Sequence, residues 1–156
     1  MENPTTWKLR EAAASTFEQL GFFFPDEEPY DEQLEAPVAA VARVRFRGPI
    51  GGVLELRLAG DLLGPLAQNM LAADVPPDHA TCLDAFGEMA NVICGNVLPA
   101  LVGSQAVFDL EPPEVSTDPQ AWPRFEEITA YAVFGIEEGR AEAVLHIAEG
   151  AEVVAS

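Results

Sequence analysis

Basic residues are scarce in this chain: eight Lys and Arg stand against 26 Asp and Glu in 156 residues, a formal net charge of −18. Association with a phosphate backbone or an anionic leaflet depends on cationic side chains displacing counterions, so nucleic acid and membrane surfaces are excluded as expected partners. Cysteine is nearly absent as well. The apolar spacing described below puts Cys82 and Cys94 in one helix, where a rise of 1.5 Å per residue separates them by about 18 Å. That distance forbids a disulfide, and both read as small buried hydrophobes. No uninterrupted apolar run approaches a membrane span, and Lys8, Arg10 and Glu11 fall where a signal peptide needs apolar residues. A soluble, cytoplasmic protein is expected. Also missing are a Gly-x-Ser-x-Gly elbow, a Gly-rich phosphate loop, an HExxH pair and a Cys-x-x-Cys. His79 and His146 lie in unrelated contexts and read as structural or solvated, so no metal site is expected.

What is present is enough for a core. Apolar residues make up 49% of the chain and charged ones 22%, which separates it from acidic disordered tails. At this length a single domain over residues 1–156 is expected, burying roughly two-thirds of its unfolded surface. Trp7, Leu9, Ala13, Phe17 and Leu20 recur at helical steps, with Thr5 or Thr6 as cap and Gly21 as stop. Residues 26–35, DEEPYDEQLE, are acidic and read as a solvated loop. From Val41 to Leu58 the period switches to two: Ala42, Val44 and Phe46 alternate with Arg43, Arg45 and Arg47, and Leu54, Leu56 and Leu58 with Glu55 and Arg57. This predicts an antiparallel hairpin with one buried face. Its polar face carries a positive stripe, for which cross-strand pairing with Glu55 or with acidic loops is the ordinary explanation.

Asp61 to Ala73 predicts a short helix. Asp78 then caps the longest one, whose apolar positions Leu83, Phe86, Ala90, Ile93, Cys94, Val97 and Leu101 run to Gly103, with a kink or break expected at Pro99. Val107 to Leu110 reads as a short strand, the Pro-rich EPPEVSTDPQAWP as a loop, and Ile128–Ile136 with Ala141–Ile147 as a second hairpin. Residues 148–156 are expected to fray. The fold class is α+β: an antiparallel sheet built from hairpins, with about three helices packed on one face.

The polar stripe of the long helix stands out. Asp84, Glu88, Asn91 and Gly95 are spaced by four, three and four residues, which aligns them along one side of the helix. Asparagine is a mediocre helix former, and glycine costs about 1 kcal/mol relative to alanine in a helix interior. A functional reason is a clearing at Gly95 through which another molecule approaches the amide and the carboxylate. From spacing alone, a solvated helix face with Gly95 allowing close packing is the simpler account.

The run DAFGEMANVICGNVLPAL resembles the Glu-x-x-Asn helix of the CheC/CheX/FliY family of chemotaxis phosphatases. The family pattern is Asp or Ser, three residues, Glu, two residues, Asn, then a proline about two dozen positions on. Asp84, Glu88 and Asn91 match it in register, and 21 residues separate Asn91 from Pro113, one short of the usual spacing. A single such helix is similar to the CheX-like branch, since CheC carries two. The resemblance implies a CheC-like fold and hydrolysis of the aspartyl phosphate on a CheY-type response-regulator receiver. Asn91 would position the attacking water, and Glu88 would pair with the receiver's lysine. Asp84, Gly95 and Pro113 would support the helix and the docking surface. No cofactor is expected on this chain; Mg²⁺ belongs to the partner receiver. The resemblance also implies a homodimer. The alternative is a non-catalytic module that docks on a receiver, or on a flagellar or signalling component, through the same helix.

Overall fold

The computed structural model describes residues 3–26 and 28–150. In it α1 (Pro4–Gly21) is capped by Asn3, whose Oδ1 accepts from the Thr6 amide at 2.7 Å. The cap lies upstream of the expected Thr5 or Thr6 because Pro4, with no N–H to satisfy and φ already helical, suits the first position. Gly21 is not the left-handed cap residue either. Phe22 takes that conformation at φ 55°, while Gly21 lies against the short helix α3 (Leu63–Leu71), where a Cβ would come within 2.7 Å of Leu66 Cδ1.

The acidic segment 26–35 is not wholly loop. It contains the short helix α2 (Asp31–Glu35), centred on a fully buried Gln33. Gln33 accepts from the Tyr30 amide and donates to Asp26 Oδ2 and the Glu137 carbonyl. Arg140 Nη1 donates to the carbonyls of Gln33, Leu34 and Ala36. Three-dimensional partners rather than local pattern hold this turn, since a buried amide is stable only when its groups are paired.

Four of the six strands form two long hairpins: β1 (Val38–Arg47) with β2 (Ile50–Ala59), and β5 (Ala130–Ile136) with β6 (Gly139–Gly150). Two short strands, β3 (Asp109–Leu110) and β4 (Glu114–Ser116), pair with the outer edge of β1. The antiparallel order is β3-β1-β2-β6-β5, with β4 beside β3 on β1. β4 lies in a stretch read above as loop. Three residues flanked by prolines carry too little alternation to register as a strand, and only the ladder to β1 makes them one. The strand β6 runs on to Gly150: Glu149 and Gly150 pair with Gly51 and Ile50 past a bulge at Ala148, where fraying was expected, and 151–156 lie outside the described residues.

The long helix α4 (His79–Val102) fills the centre of the core. Phe86, Met89, Ile93 and Val97 are fully buried against Ala42, Val44, Leu54 and Leu56 of the sheet and Phe17 of α1. The helix continues through Pro99 to Val102. By length and composition it could cross a membrane, although Asp84 and Glu88 interrupt its apolar run. Here its apolar side packs against the sheet instead. The expected α+β architecture is observed, with α1, α3 and α4 on one face and α2 as a fourth helix at the β5–β6 turn.

Asp78 caps α4 as the sequence predicts, its Oδ1 accepting from the Thr81 amide at 2.8 Å. That backbone hydrogen bond, helped by the Thr81 hydroxyl, holds the carboxyl below its usual 3.8. The folded state therefore favours the charged form, and this stabilisation is present above the unfolded value and lost as pH falls through the folded one. The difference in melting temperature between wild type and Asp78→Ala is expected to be constant at neutral pH and to shrink once pH drops below about 4.

Candidate functional site

Asp84 and Glu88 are exposed on α4, Asn91 is half-buried one turn beyond, and Gly95 is exposed a turn further on. A Cβ added at Gly95 would meet nothing within 4 Å. Among the described residues Gly95 therefore serves no close packing, and the clearing read from the sequence is open surface there. The side chain of Asn91 lies differently. Its Oδ1 is buried, yet among the described residues it accepts no hydrogen bond. Burying an unsatisfied carbonyl costs about 1–3 kcal/mol, so this oxygen is kept at the expense of stability.

Pro113 is brought to the same place by tertiary structure. The β3–β4 segment passes alongside α4 so closely that a Cβ on Gly87 would stand 3.0 Å from Val115 Cγ2 and 3.2 Å from Pro113 Cγ. Pro113 and Val115 thus form a wall beside the turn that carries Glu88. Gly87 and Val115 were not singled out from the sequence, although the argument that asked a reason of Gly95 applies equally to Gly87. The Pro-rich composition around Val115 concealed the short strand it belongs to.

The arginine stripe is not part of this site. Arg43 is buried, its Nε donating to Glu55 Oε1 at 2.7 Å and its Nη2 to the Pro123 carbonyl at 2.8 Å. Its guanidinium lies 4.2 Å from the centre of the Phe125 ring and 5.4 Å from that of Trp122. Arg57 Nε completes the cluster on Glu55 Oε2 at 2.6 Å. The pairing with Glu55 is the one expected, but the hairpin does not have a single buried face: residues 122–125 cover the middle of the second. Arg45 and Arg47 remain exposed, Arg45 in a loose pair with Glu114 at 3.7 Å.

Nucleophilic roles find no support. Burial pushes the Cys94 thiol up to about 12, and burial also raises Cys82, so neither supplies a thiolate at neutral pH. His146 Nδ1–H donates to the Glu127 carbonyl at 2.8 Å, and the ring stacks on Phe125. Among the described residues no group of three His, Cys, Asp or Glu is placed to hold a metal ion. What remains on α4 is an amide with a free acceptor, a carboxylate one turn away, a clearing and a proline wall.

The family model described as chemotaxis phosphatase CheX matches residues 40–124, more than half of the chain. The chain belongs to the CheX family. The match takes in most of β1 and all of α4 and β4, so both the helix stripe and its wall lie within the CheX region. No curated protein matches the chain by sequence. Among solved structures, the chemotaxis protein CheX from Vibrio vulnificus superposes with a TM-score of 0.70 at 15% identity, covering 92% of this chain and 95% of that one. CheX from Desulfovibrio desulfuricans gives a TM-score of 0.70 at 17% identity, with 92% and 98% covered. The CheX-CheY-BeF3-Mg²⁺ complex from Borrelia burgdorferi gives 0.65 at 17%, with 92% and 97% covered. At these identities the likeness establishes the CheX fold across nearly the whole chain.

Proposed function

We propose that this chain hydrolyses the aspartyl phosphate of a CheY-like receiver domain, with Asn91 orienting the attacking water. The observation that carries the reading is the buried, unpartnered Oδ1 of Asn91, beside Glu88 and open surface. An acyl phosphate is already activated, so the catalyst need only place a nucleophile in line with the leaving group. An asparagine amide suits this task because it donates and accepts hydrogen bonds and does not titrate. Water oxygen bonds to phosphorus as the bond from phosphorus to the aspartyl oxygen breaks, the electron pair leaves with the carboxylate, and the protons of the water stay with the phosphate that forms. The products are inorganic phosphate and an unmodified receiver, and the Mg²⁺ that neutralises the phosphoryl oxygens is the receiver's own.

Glu88 pairs with the receiver's lysine and sets the docking register. Asp84, a turn earlier on the same side, supports that surface, and the clearing at Gly95 lets the receiver approach. Family membership and the CheY in the similar Borrelia complex support a receiver as the partner. The test is to phosphorylate a receiver with a small phosphodonor and follow phosphate release with and without this chain. Acceleration is expected. Binding that leaves the release rate unchanged overturns the enzyme and leaves a docking module. Glu88→Gln is expected to lower kcat/KM by about 10- to 100-fold, mainly through KM, as loss of one member of an interfacial charge pair does.

A further inference from the structure

Resting on the phosphatase reading, we propose that Gly87 is a positioning residue: its missing side chain lets Val115 and Pro113 confine the Asn91 amide. Gly87 is buried in the interior of the longest helix, where glycine is a poor choice unless something must come close. Something does. A methyl there would lie 3.0 Å from Val115 Cγ2, and 3.2 and 3.4 Å from Pro113 Cγ and Cβ, so the neighbours must give by a few tenths of an ångström.

The wall they belong to is held from behind. Val115 pairs with Ala42 of β1 and Glu114 with Arg43, and Arg43 is tied into the buried cluster with Glu55 and the Pro123 carbonyl. A strand anchored in this way does not yield freely. On the helix side, a side chain leans toward the N-terminus over the residues three and four positions earlier. For Asn91 those are Glu88 and Gly87. By that geometry the amide, whose oxygen is buried without a partner, leans toward Gly87, where the wall touches the helix. A methyl at 87 displaces the wall and the amide relative to each other, while the exposed Glu88 and the clearing at Gly95 stay as they are.

The mechanism converts that displacement into a rate. In-line placement of a water is steep in distance, with about 1 Å of misplacement costing on the order of 100-fold. For Gly87→Ala we expect kcat toward a phosphorylated receiver to fall about tenfold with KM within twofold, and the melting temperature to hold, since alanine is the better helix former. Adding Val115→Ala removes the methyl that the new Cβ meets first, and the double variant is expected to recover kcat to within about threefold of wild type. A merely structural role for Gly87 does not produce that rescue. The Asn91 side-chain amide signals in a nitrogen–proton NMR spectrum supply a readout independent of turnover: they should move in Gly87→Ala and return in the double variant. Unmoved Asn91 signals, an unchanged kcat, or a loss that Val115→Ala does not relieve each overturn the inference. A wild-type chain that accelerates nothing sinks the phosphatase reading alone, because the NMR comparison still decides the positioning.

Discussion

Asn91→Ala is expected to lose about 100- to 1,000-fold of the accelerated phosphate release while leaving the chain as stable as wild type or more so. The loss follows from the size of single preorganised hydrogen-bonding groups in other active sites. The gain follows from the structure. The Asn91 Oδ1 is buried without a partner, so deleting it removes an unsatisfied group worth about 1–3 kcal/mol, and alanine adds helix propensity in the interior of α4. Opposite signs for activity and stability are the signature of a residue retained for its chemistry. Phosphate release and thermal unfolding, measured on the same preparation, check both halves. An Asn91→Ala chain with full activity ends the assignment. One that loses activity by melting at a markedly lower temperature shows that the amide was structural.

The second large effect concerns stability. Glu55→Ala is expected to cost about 3–5 kcal/mol, the usual consequence of removing one member of a buried ion pair. For a domain of this size that is roughly 10 °C or more in melting temperature. Glu55 is 3% exposed and accepts from both Arg43 and Arg57, so its removal leaves the buried Arg43 guanidinium without its carboxylate. Replacing both members, as in Arg43→Leu with Glu55→Leu, is expected to recover most of the loss, since the desolvation cost disappears with the charges. The aromatic rings of Trp122 and Phe125 lie close enough to receive an apolar side chain in place of the guanidinium. Thermal denaturation followed by Trp122 fluorescence measures both variants. A Glu55→Ala chain within 1 kcal/mol of wild type would show that the cluster is solvated and contributes little, as surface pairs do.

These two residues also mark the divide between what was readable locally and what was not. The Asp84, Glu88, Asn91 stripe follows from helical spacing alone, and the helix start at Asp78 follows from capping chemistry. Both long hairpins follow from the switch to a period of two. Glu55 was named as a partner for the arginines from cross-strand pairing, and the register places Arg43 opposite it. The burial of that pair was not readable, because the cover comes from Trp122 and Phe125, some eighty residues downstream in a stretch without periodicity.

By itself the sequence determined every element whose stability comes from its own repeating pattern: the central helix, the paired strands, the apolar face that joins them and the polar stripe left over. Tertiary structure alone decided the parts with no pattern of their own. The α2 turn forms around Gln33 because partners from the β5–β6 turn and β6 satisfy it, and β4 exists because β1 offers an edge. Gly87 matters because Val115 and Pro113 arrive beside it. Periodicity reports which face of an element is buried, but not which distant segment covers it. The wall of Pro113 and Val115 beside Gly87 depends on that second kind of contact.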